Sequence, residues 1–280
     1  MRKYAVLVAL LAAVLASAAA LLAIRHAPLE SSGVSTTTPA TYQRVASPEK
    51  RHCKLRILYY DSLARDIPNQ TLVKLLERIA REYNACIDVY LGRQAGIKPI
   101  LNIGEYDIVV VRAHGGIWDG HGYYIATGLA PGEKLDIPLD LAKRLASQGI
   151  LAEASPAVFA NGGAFVSEKL IIIGSYKLFN IVHPKRGSVL IAMTCSSIQD
   201  PLFVSKALKS GLGLYIGWIG AVTPRDIDRV LPKLLKLVLE YYTRGARGCR
   251  LASALKQLGP LLMAPDTHAI LSSSCLPSTR

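Results

Sequence analysis

Two reactive side chains follow two of the most hydrophobic stretches of the sequence. His114 comes directly after "DIVVVRA" (107–113), and Cys195 comes directly after "SVLIAMT" (188–194). In an open parallel sheet, functional groups gather beyond the carboxyl ends of the strands. If the two stretches form adjacent strands, the imidazole and the thiol emerge at one edge. A thiol beside an imidazole is the arrangement of a cysteine nucleophile with a histidine acid and base.

The residues next to this pair suit acyl transfer. In that chemistry the thiolate of Cys195 attacks a carbonyl, the backbone N–H groups of Gly115 and Cys195 hold the oxyanion, and His114 protonates the leaving amine. Glycine at 115 and 116 permits a close backbone approach. Each residue also has an ordinary explanation, because a strand-end histidine is commonly an edge residue and a buried cysteine commonly packs as a small hydrophobic residue.

Other polar and aromatic residues compete for a role. His121, in "WDGHGYY", also precedes a glycine, but it follows a glycine-rich loop and ranks below His114. Asp61 closes the first predicted strand and would either orient a substrate amine or the catalytic ring, or simply start a turn. Gly217 and Trp218 end the penultimate predicted strand. They would line a substrate pocket, or Trp218 would pack in the core.

The apolar segments around these residues predict an α/β domain with a mainly parallel central sheet, covered on both faces. Strands are expected at 54–61, 86–92, 107–111, 188–194 and 213–220, and helices at 69–84, 200–211, 224–242 and 249–258. Asn69 is either the N-cap of the first helix or a glycosylation site, since it begins an Asn-Gln-Thr triplet. Pro224 is expected in the first turn of its helix.

The segment between the two reactive residues is less regular. We expect a glycine-rich loop from Gly115 to Gly132, a helix near 139–148, and extended segments at 157–165 and 170–182. Turn signals at Asn161-Gly162-Gly163 and Gly174-Ser175 favour hairpins appended to the sheet.

The N-terminal residues predict export. Tyr4 to Ile24 contains no charged residue and follows Arg2 and Lys3, so residues 1–28 are expected to form a signal peptide or a transmembrane signal anchor. Residues 29–51 are rich in Ser, Thr and Pro and predict a stalk. The remaining domain, 52–280, would then lie outside the cytoplasm, either anchored to the membrane or secreted.

The five cysteines fit an oxidising location. Cys53 and Cys86 precede two strands that, as parallel neighbours, would place both sulfurs at one sheet edge, and this predicts a disulfide between them. Cys249 and Cys275 are expected to form a second bond, which leaves Cys195 as the free thiol. The net charge of +13, concentrated from Lys233 to Lys256, favours a solvated basic surface, with attraction to anionic lipid headgroups, cell-wall polymers or acidic substrates as the alternative. No motif indicates nucleic-acid binding.

"VVVRAHGG", "VLIAMTCSS" and the following "ALKSGLGLYIGWIGAV" resemble the caspase, legumain, gingipain and clostripain group of cysteine peptidases, most closely its gingipain-like branch. The resemblance covers roughly 54–242. It implies the three-layer caspase-like sandwich, a protein or peptide substrate, and chemistry that needs no metal or cofactor. It also implies His114 as general acid and base, Gly115 as an oxyanion donor and Cys195 as the nucleophile.

The sequence departs from the pattern of that group in two places. The interval from His114 to Cys195 is longer than usual, which implies an insertion at about 117–187, and Thr194 stands where many relatives have a small residue. A binding or scaffold protein that keeps the fold without turnover is the alternative. A different acyl-transferring thiol enzyme is disfavoured, because Cys195 lacks the flanking glycines of a sharp strand-to-helix elbow.

Overall fold

The computed structural model describes residues 53–275, except 119, 156, 161, 162, 167, 168 and 266, and for 157–160 and 163–166 it describes the backbone alone. The expected N-terminal helix and stalk lie outside the described residues. Among the described residues, no helix is both long enough and apolar enough to span a membrane.

A six-stranded sheet forms the centre of the domain, in the order β12-β11-β10-β3-β1-β2. Every neighbouring pair is parallel except β11 with β12. This confirms the predicted α/β class with a mainly parallel sheet. Its strands are β1 (Leu55–Asp61), β2 (Ala85–Leu91), β3 (Ile108–Arg112), β10 (Val189–Met193), β11 (Leu214–Ile219) and β12 (Ile270–Cys275).

Helices cover both faces of this sheet because its inner strands are apolar on both sides. On one face Ile57, Val110 and Ile191 pack against the helices α1 and α5. On the other face Val109 and Leu190 pack against α4 and a second sheet. The helices are α1 (Gln70–Glu82), α2 (Lys98–Leu101), α3 (Leu139–Ser147), α4 (Pro201–Lys209), α5 (Pro224–Thr243) and α6 (Gly248–Ala254).

Short polar side chains fix where the main helices begin. The Asn69 side chain accepts the Leu72 N–H at 2.9 Å, which confirms the predicted N-cap of α1. Thr223 caps α5 in the same way, and Pro224 occupies its first turn as expected. These two caps place the starts of α1 and α5 beyond the carboxyl ends of β1 and β11, the edge at which His114 and Cys195 also lie.

The segment between His114 and Cys195 forms a second, antiparallel sheet in the order β4-β5-β9-β6. The prediction of a loop from Gly115 to Gly132 is wrong, because the first half of this segment is a hairpin in which Tyr123 and Ile125 are buried. The extended segment predicted at 170–182 ends early, at Ser175, whose φ of +69° turns the chain into a 3-10 helix. The strands are β4 (Gly115–Trp118), β5 (Gly122–Ala126), β6 (Leu151–Ala154) and β9 (Leu170–Gly174), with a separate hairpin of β7 (Ala157–Ala160) and β8 (Gly163–Val166).

Both predicted disulfides are present, Cys53 with Cys86 and Cys249 with Cys275, and Cys195 is the free thiol. The second bond joins α6 to the end of β12. That strand was missed by the sequence prediction because "ILSSSC" has little apolar character. It is held through its pairing with β11 and through the disulfide.

We expect the double substitution Cys249→Ser/Cys275→Ser to lower the free energy of unfolding by about 3 kcal/mol, because the bond closes a loop with a sequence separation of 26. Urea denaturation of the non-reduced protein measures the loss. A peptide map in which either cysteine pairs with Cys195 would contradict the assignment.

Candidate active site

The pairing of β3 with β10 brings His114 and Cys195 to the same edge of the central sheet. Val189 pairs with Ile108 and Met193 with Arg112, a constant offset of 189 − 108 = 81 positions. His114 and Cys195 have the same offset, 195 − 114 = 81, and each lies two residues beyond the last pair of the ladder. The two residues therefore leave their strands in register.

Side-chain alternation also assigns both residues to one face of the sheet. Ile108 and Val110 on β3, with Val189 and Ile191 on β10, point into the core shared with α1 and α5. Because strand side chains alternate between faces, His114 and Cys195 continue these two rows. Cys195 indeed packs against that core. The imidazole and the thiol therefore belong to the same corner of the domain.

The polar atoms of the two side chains nevertheless contact other residues of the domain. The Cys195 Sγ lies 3.4 Å from the Val222 N–H nitrogen, and the thiol donates to the Val222 carbonyl oxygen at 3.6 Å. The His114 Nε2 lies 3.8 Å from the Asp66 carboxylate. Among the described residues no hydrogen bond joins the imidazole to the thiol.

Opposing influences act on the thiol. Burial raises the pKa of Cys195 above its ordinary value, and the hydrogen bond from Val222 acts in the opposite direction. Helix α5 begins at Pro224, two residues beyond Val222. The positive end of a helix dipole favours a nearby thiolate. In the arrangement observed the thiol is neutral at pH 7, while groups that stabilise its charged form lie next to it.

Two backbone N–H groups at this edge are free of ladder partners. Ala126 N–H donates to the His114 carbonyl at 2.8 Å. Since opposed pairs in an antiparallel ladder alternate between bonded and non-bonded, the Gly115 N–H points away from β5. Within the described part of the chain, the Cys195 N–H has no backbone acceptor. The Cys195 N–H also acts on its own thiol, whose pKa it lowers against the effect of burial.

Gly115 is needed at its position because other atoms occupy the space of a side chain. A Cβ there would lie 2.9 Å from both the Thr194 Oγ1 and the Tyr124 carbonyl oxygen. Thr194 in turn hydrogen-bonds to the Tyr123 hydroxyl, and both residues are buried. Asp200 accepts the Tyr123 N–H at 2.8 Å. These contacts fix the β4–β5 hairpin to the turn that carries Cys195.

A buried ionic network lies beneath His114. The Arg112 Nη1 is 2.9 Å from the Asp61 Oδ1, and both side chains are completely buried. The Arg112 Nε and Nη2 bond to the two oxygens of Asp228 at 2.7 and 3.1 Å. Tyr59 donates to Asp61 at 2.9 Å. Burial raises the pKa of Asp61, against the effect of Arg112, which favours the carboxylate.

Sequence reasoning missed the role of Arg112. The sequence nevertheless indicated this role, because a charged residue ends a strand that otherwise consists of Ile and Val. A buried charge requires a partner, and Asp61 ends the adjacent strand at the paired position.

The residues predicted to form a substrate pocket are all buried. Asp61 is bound by Arg112, and Trp218 packs in the core between the sheet and α5. A Cβ on Gly217 would lie 2.5 Å from the Ser197 Oγ, so this glycine makes room for Ser197. None of the three lines an open pocket in this structure. His121, the competing histidine, stacks on Trp118 at the tip of the β4–β5 hairpin, with ring centroids 4.2 Å apart.

Comparison of the chain with protein-family models, and separately with curated protein sequences, gives no significant match.

We expect Arg112→Met to lower the free energy of unfolding by about 3–5 kcal/mol, because Asp61 loses its buried counterion. Arg56→Met is the matched control. Arg56 makes two exposed ion pairs, so its loss should cost less than about 1 kcal/mol.

The Arg112→Met variant should also be more stable at pH 5 than at pH 8. The pKa of Asp61, already raised by burial, rises further without the guanidinium, so the folded protein binds a proton that the unfolded chain releases. Urea denaturation across this range measures the effect. Equal losses in both variants at every pH would contradict it.

We expect Thr194→Val to cost about 1–3 kcal/mol, because the buried Tyr123 hydroxyl loses its partner. Thr194→Ser keeps the hydroxyl and serves as the control. Thermal or urea unfolding should place the serine variant closer to the wild type, and the reverse order would show that the hydrogen bond is unimportant.

Proposed function

We propose that this protein is an extracytoplasmic cysteine endopeptidase that hydrolyses peptide bonds with His114 and Cys195. The observation that carries the proposal is the shared 81-residue offset, which brings both residues out of adjacent parallel strands at one edge. The two disulfides support a location outside the cytoplasm.

The order of the sheet is consistent with the caspase-like sandwich that the motifs imply. The strand that delivers the histidine and the strand that delivers the cysteine are central neighbours, and helices cover both faces. The long interval between the two residues is taken up by the second sheet, so the insertion leaves the pairing of β3 with β10 intact.

The mechanism follows from the groups at the edge. Cys195 turns from Val222 towards His114 and transfers its proton to the imidazole. The thiolate attacks the scissile carbonyl carbon, and the N–H groups of Gly115 and Cys195 stabilise the oxyanion. His114 then protonates the leaving amine as the C–N bond breaks, which leaves a thioester. Water, deprotonated by His114, attacks the thioester and releases the acid and the thiol.

A binding or scaffold protein is the second candidate, and two contacts favour it. The Cys195 thiol faces the Val222 backbone, and His114 faces Asp66. With its pKa raised by burial, the thiol in this arrangement is a poor nucleophile at neutral pH. The two candidates differ in whether His114 activates the thiol.

An active-site-directed probe tests the proposal. We expect peptidyl acyloxymethyl ketones to label Cys195 stoichiometrically at pH 7, and we expect His114→Ala to slow labelling at least a hundredfold. His121→Ala is the matched control and should label like the wild type. Cleavage products from a mixed peptide library, measured by mass spectrometry with Cys195→Ala as the blank, report turnover.

The pH dependence of alkylation by iodoacetamide separates the two candidates. A thiol that stays against Val222 should react slowly at pH 6 and faster as the pH rises, since burial raises its pKa. A thiol activated by His114 should react at pH 6 at a rate that His114→Ala abolishes. If the wild type and His114→Ala have identical pH profiles of alkylation, and the peptide library is not cleaved, the binding or scaffold protein is the better conclusion.

A further inference from the structure

The edge of the central sheet opposite the candidate site carries a concentration of positive charge. Strands β10 and β11 begin there, preceded by the loops at 184–188 and 209–213, and α5 ends there. We call its cations the basic rim, and they are Lys185, Arg186, Lys209, Arg244, Arg247 and Arg250.

Backbone and side-chain contacts hold the parts of the basic rim together. Gly187 N–H donates to the Gly211 carbonyl at 2.8 Å, which joins the two loops. The Arg247 side chain lies 3.8 Å from where a Cβ of Gly187 would stand, and it stacks on Tyr242. The disulfide between Cys249 and Cys275 fixes the following segment to the end of β12. The rim is therefore one surface.

Its positive charge is only partly neutralised. Asp107 pairs with Lys185 at 2.6 Å, and Glu240 pairs with Arg244 at 2.9 Å. Six cations and two carboxylates leave a net charge of 6 − 2 = +4. Arg186, Lys209 and Arg250 are exposed, and within the described part of the chain none has an acidic partner. Such a surface attracts anions and suits a membrane that contains anionic lipid.

The chain also enters the domain at this edge. Lys54 precedes β1, and only β3 separates β1 from β10, so the entry point lies about 10 Å from the basic rim along the sheet. Between Ile24, where the charge-free stretch ends, and Cys53 there are 52 − 24 = 28 residues. If residues 1–28 anchor the chain as expected, the covalent connection raises the concentration of the domain at the membrane, so that weak attraction is enough for binding.

We propose that the basic rim binds anionic phospholipid headgroups and so orients the domain, with His114 and Cys195 held at the far edge. The strands between the two edges place the candidate site about 17 Å or more beyond the rim. The edge that carries His114 and Cys195 then faces away from the bilayer. This proposal rests on the charge, on the entry point and on the expected anchor at 1–28, and it stands whether or not Cys195 is catalytic.

Lysine acetylation of the full chain in lipid nanodiscs tests the orientation. One set of discs contains phosphatidylcholine alone, and the other contains about three parts in ten phosphatidylglycerol. We expect acetylation of Lys185 and Lys209 to be at least threefold slower in the anionic discs, and 0.5 M NaCl should abolish the difference. Lys98 begins α2, beyond the carboxyl end of β2, and Lys134 is two residues from Asp136, which accepts the Lys98 N–H. Both lysines therefore lie away from the basic rim and should react equally in both kinds of disc.

Charge reversal supplies the control. Arg186→Glu/Arg250→Glu changes the charge by −4 and keeps both reporter lysines, so their protection should disappear. Arg78→Glu/Arg225→Glu makes the same change elsewhere and should keep the protection. Equal acetylation in the two kinds of disc, or equal protection by both variants, would overturn the proposal. If heparin, added without lipid, protects Lys185 and Lys209 from acetylation as strongly as the anionic discs do, the assignment to lipid is wrong.

Discussion

The parallel pairing of β3 with β10 is the constraint on which the candidate site depends. The five residues of each strand are all buried, so each strand presents apolar side chains to both faces. A strand that is apolar on both faces stays buried when it shifts by one residue along its neighbour, so burial alone does not fix the register. Such a shift between β3 and β10 would nevertheless place His114 and Cys195 on opposite faces. Something other than apolar burial must select the register.

Arg112 supplies part of that selection, because it fixes β3 against its other neighbour, β1. It is the one charged residue of β3, it is completely buried, and it finds Asp61 at the paired position of β1. A shift of β3 against β1 would leave the guanidinium in an apolar environment, at a cost of several kcal/mol. The network at the end of β3 therefore does more than satisfy a buried charge. It fixes where the next residues, including His114, leave the sheet.

The sequence predicted those parts of the structure that have a strong local signal. Aliphatic runs at 107–111 and 188–194 indicated the two strands, Asn69 and Pro224 indicated helix starts, and the cysteines were assigned to the correct pairs. It failed where the local structure depends on contacts with residues that are distant in the sequence. The β4–β5 hairpin was hidden by glycines that the close contact with Thr194 requires, and β12 has no apolar pattern because a disulfide and β11 hold it.

The prediction of the candidate site divides in the same way. The common edge follows from two apolar segments that each end at a reactive residue, and the sequence predicted it. The register of β3 against β10 depends on how buried strands pair, and the sequence did not predict it. The direction of the Cys195 thiol cannot be inferred from the sequence either, because it depends on Val222 at the start of a distant helix. Trp218 and Gly217 are similar cases, since their burial depends on how the turn at Ser197 packs over β11.

The chain passes from one sheet to the other over very few residues. Strand β3 ends at Arg112 and β4 begins at Gly115, so only Ala113 and His114 lie between these two strands, whereas the return from β9 to β10 takes the longer segment 175–188. His114 lies in this short crossover, next to the Gly115 amide, so a change in the position of β4 would move both groups. Because β5 pairs with β9 and β9 with β6, the placement of His114 depends on the whole second sheet as well as on the strand that precedes it.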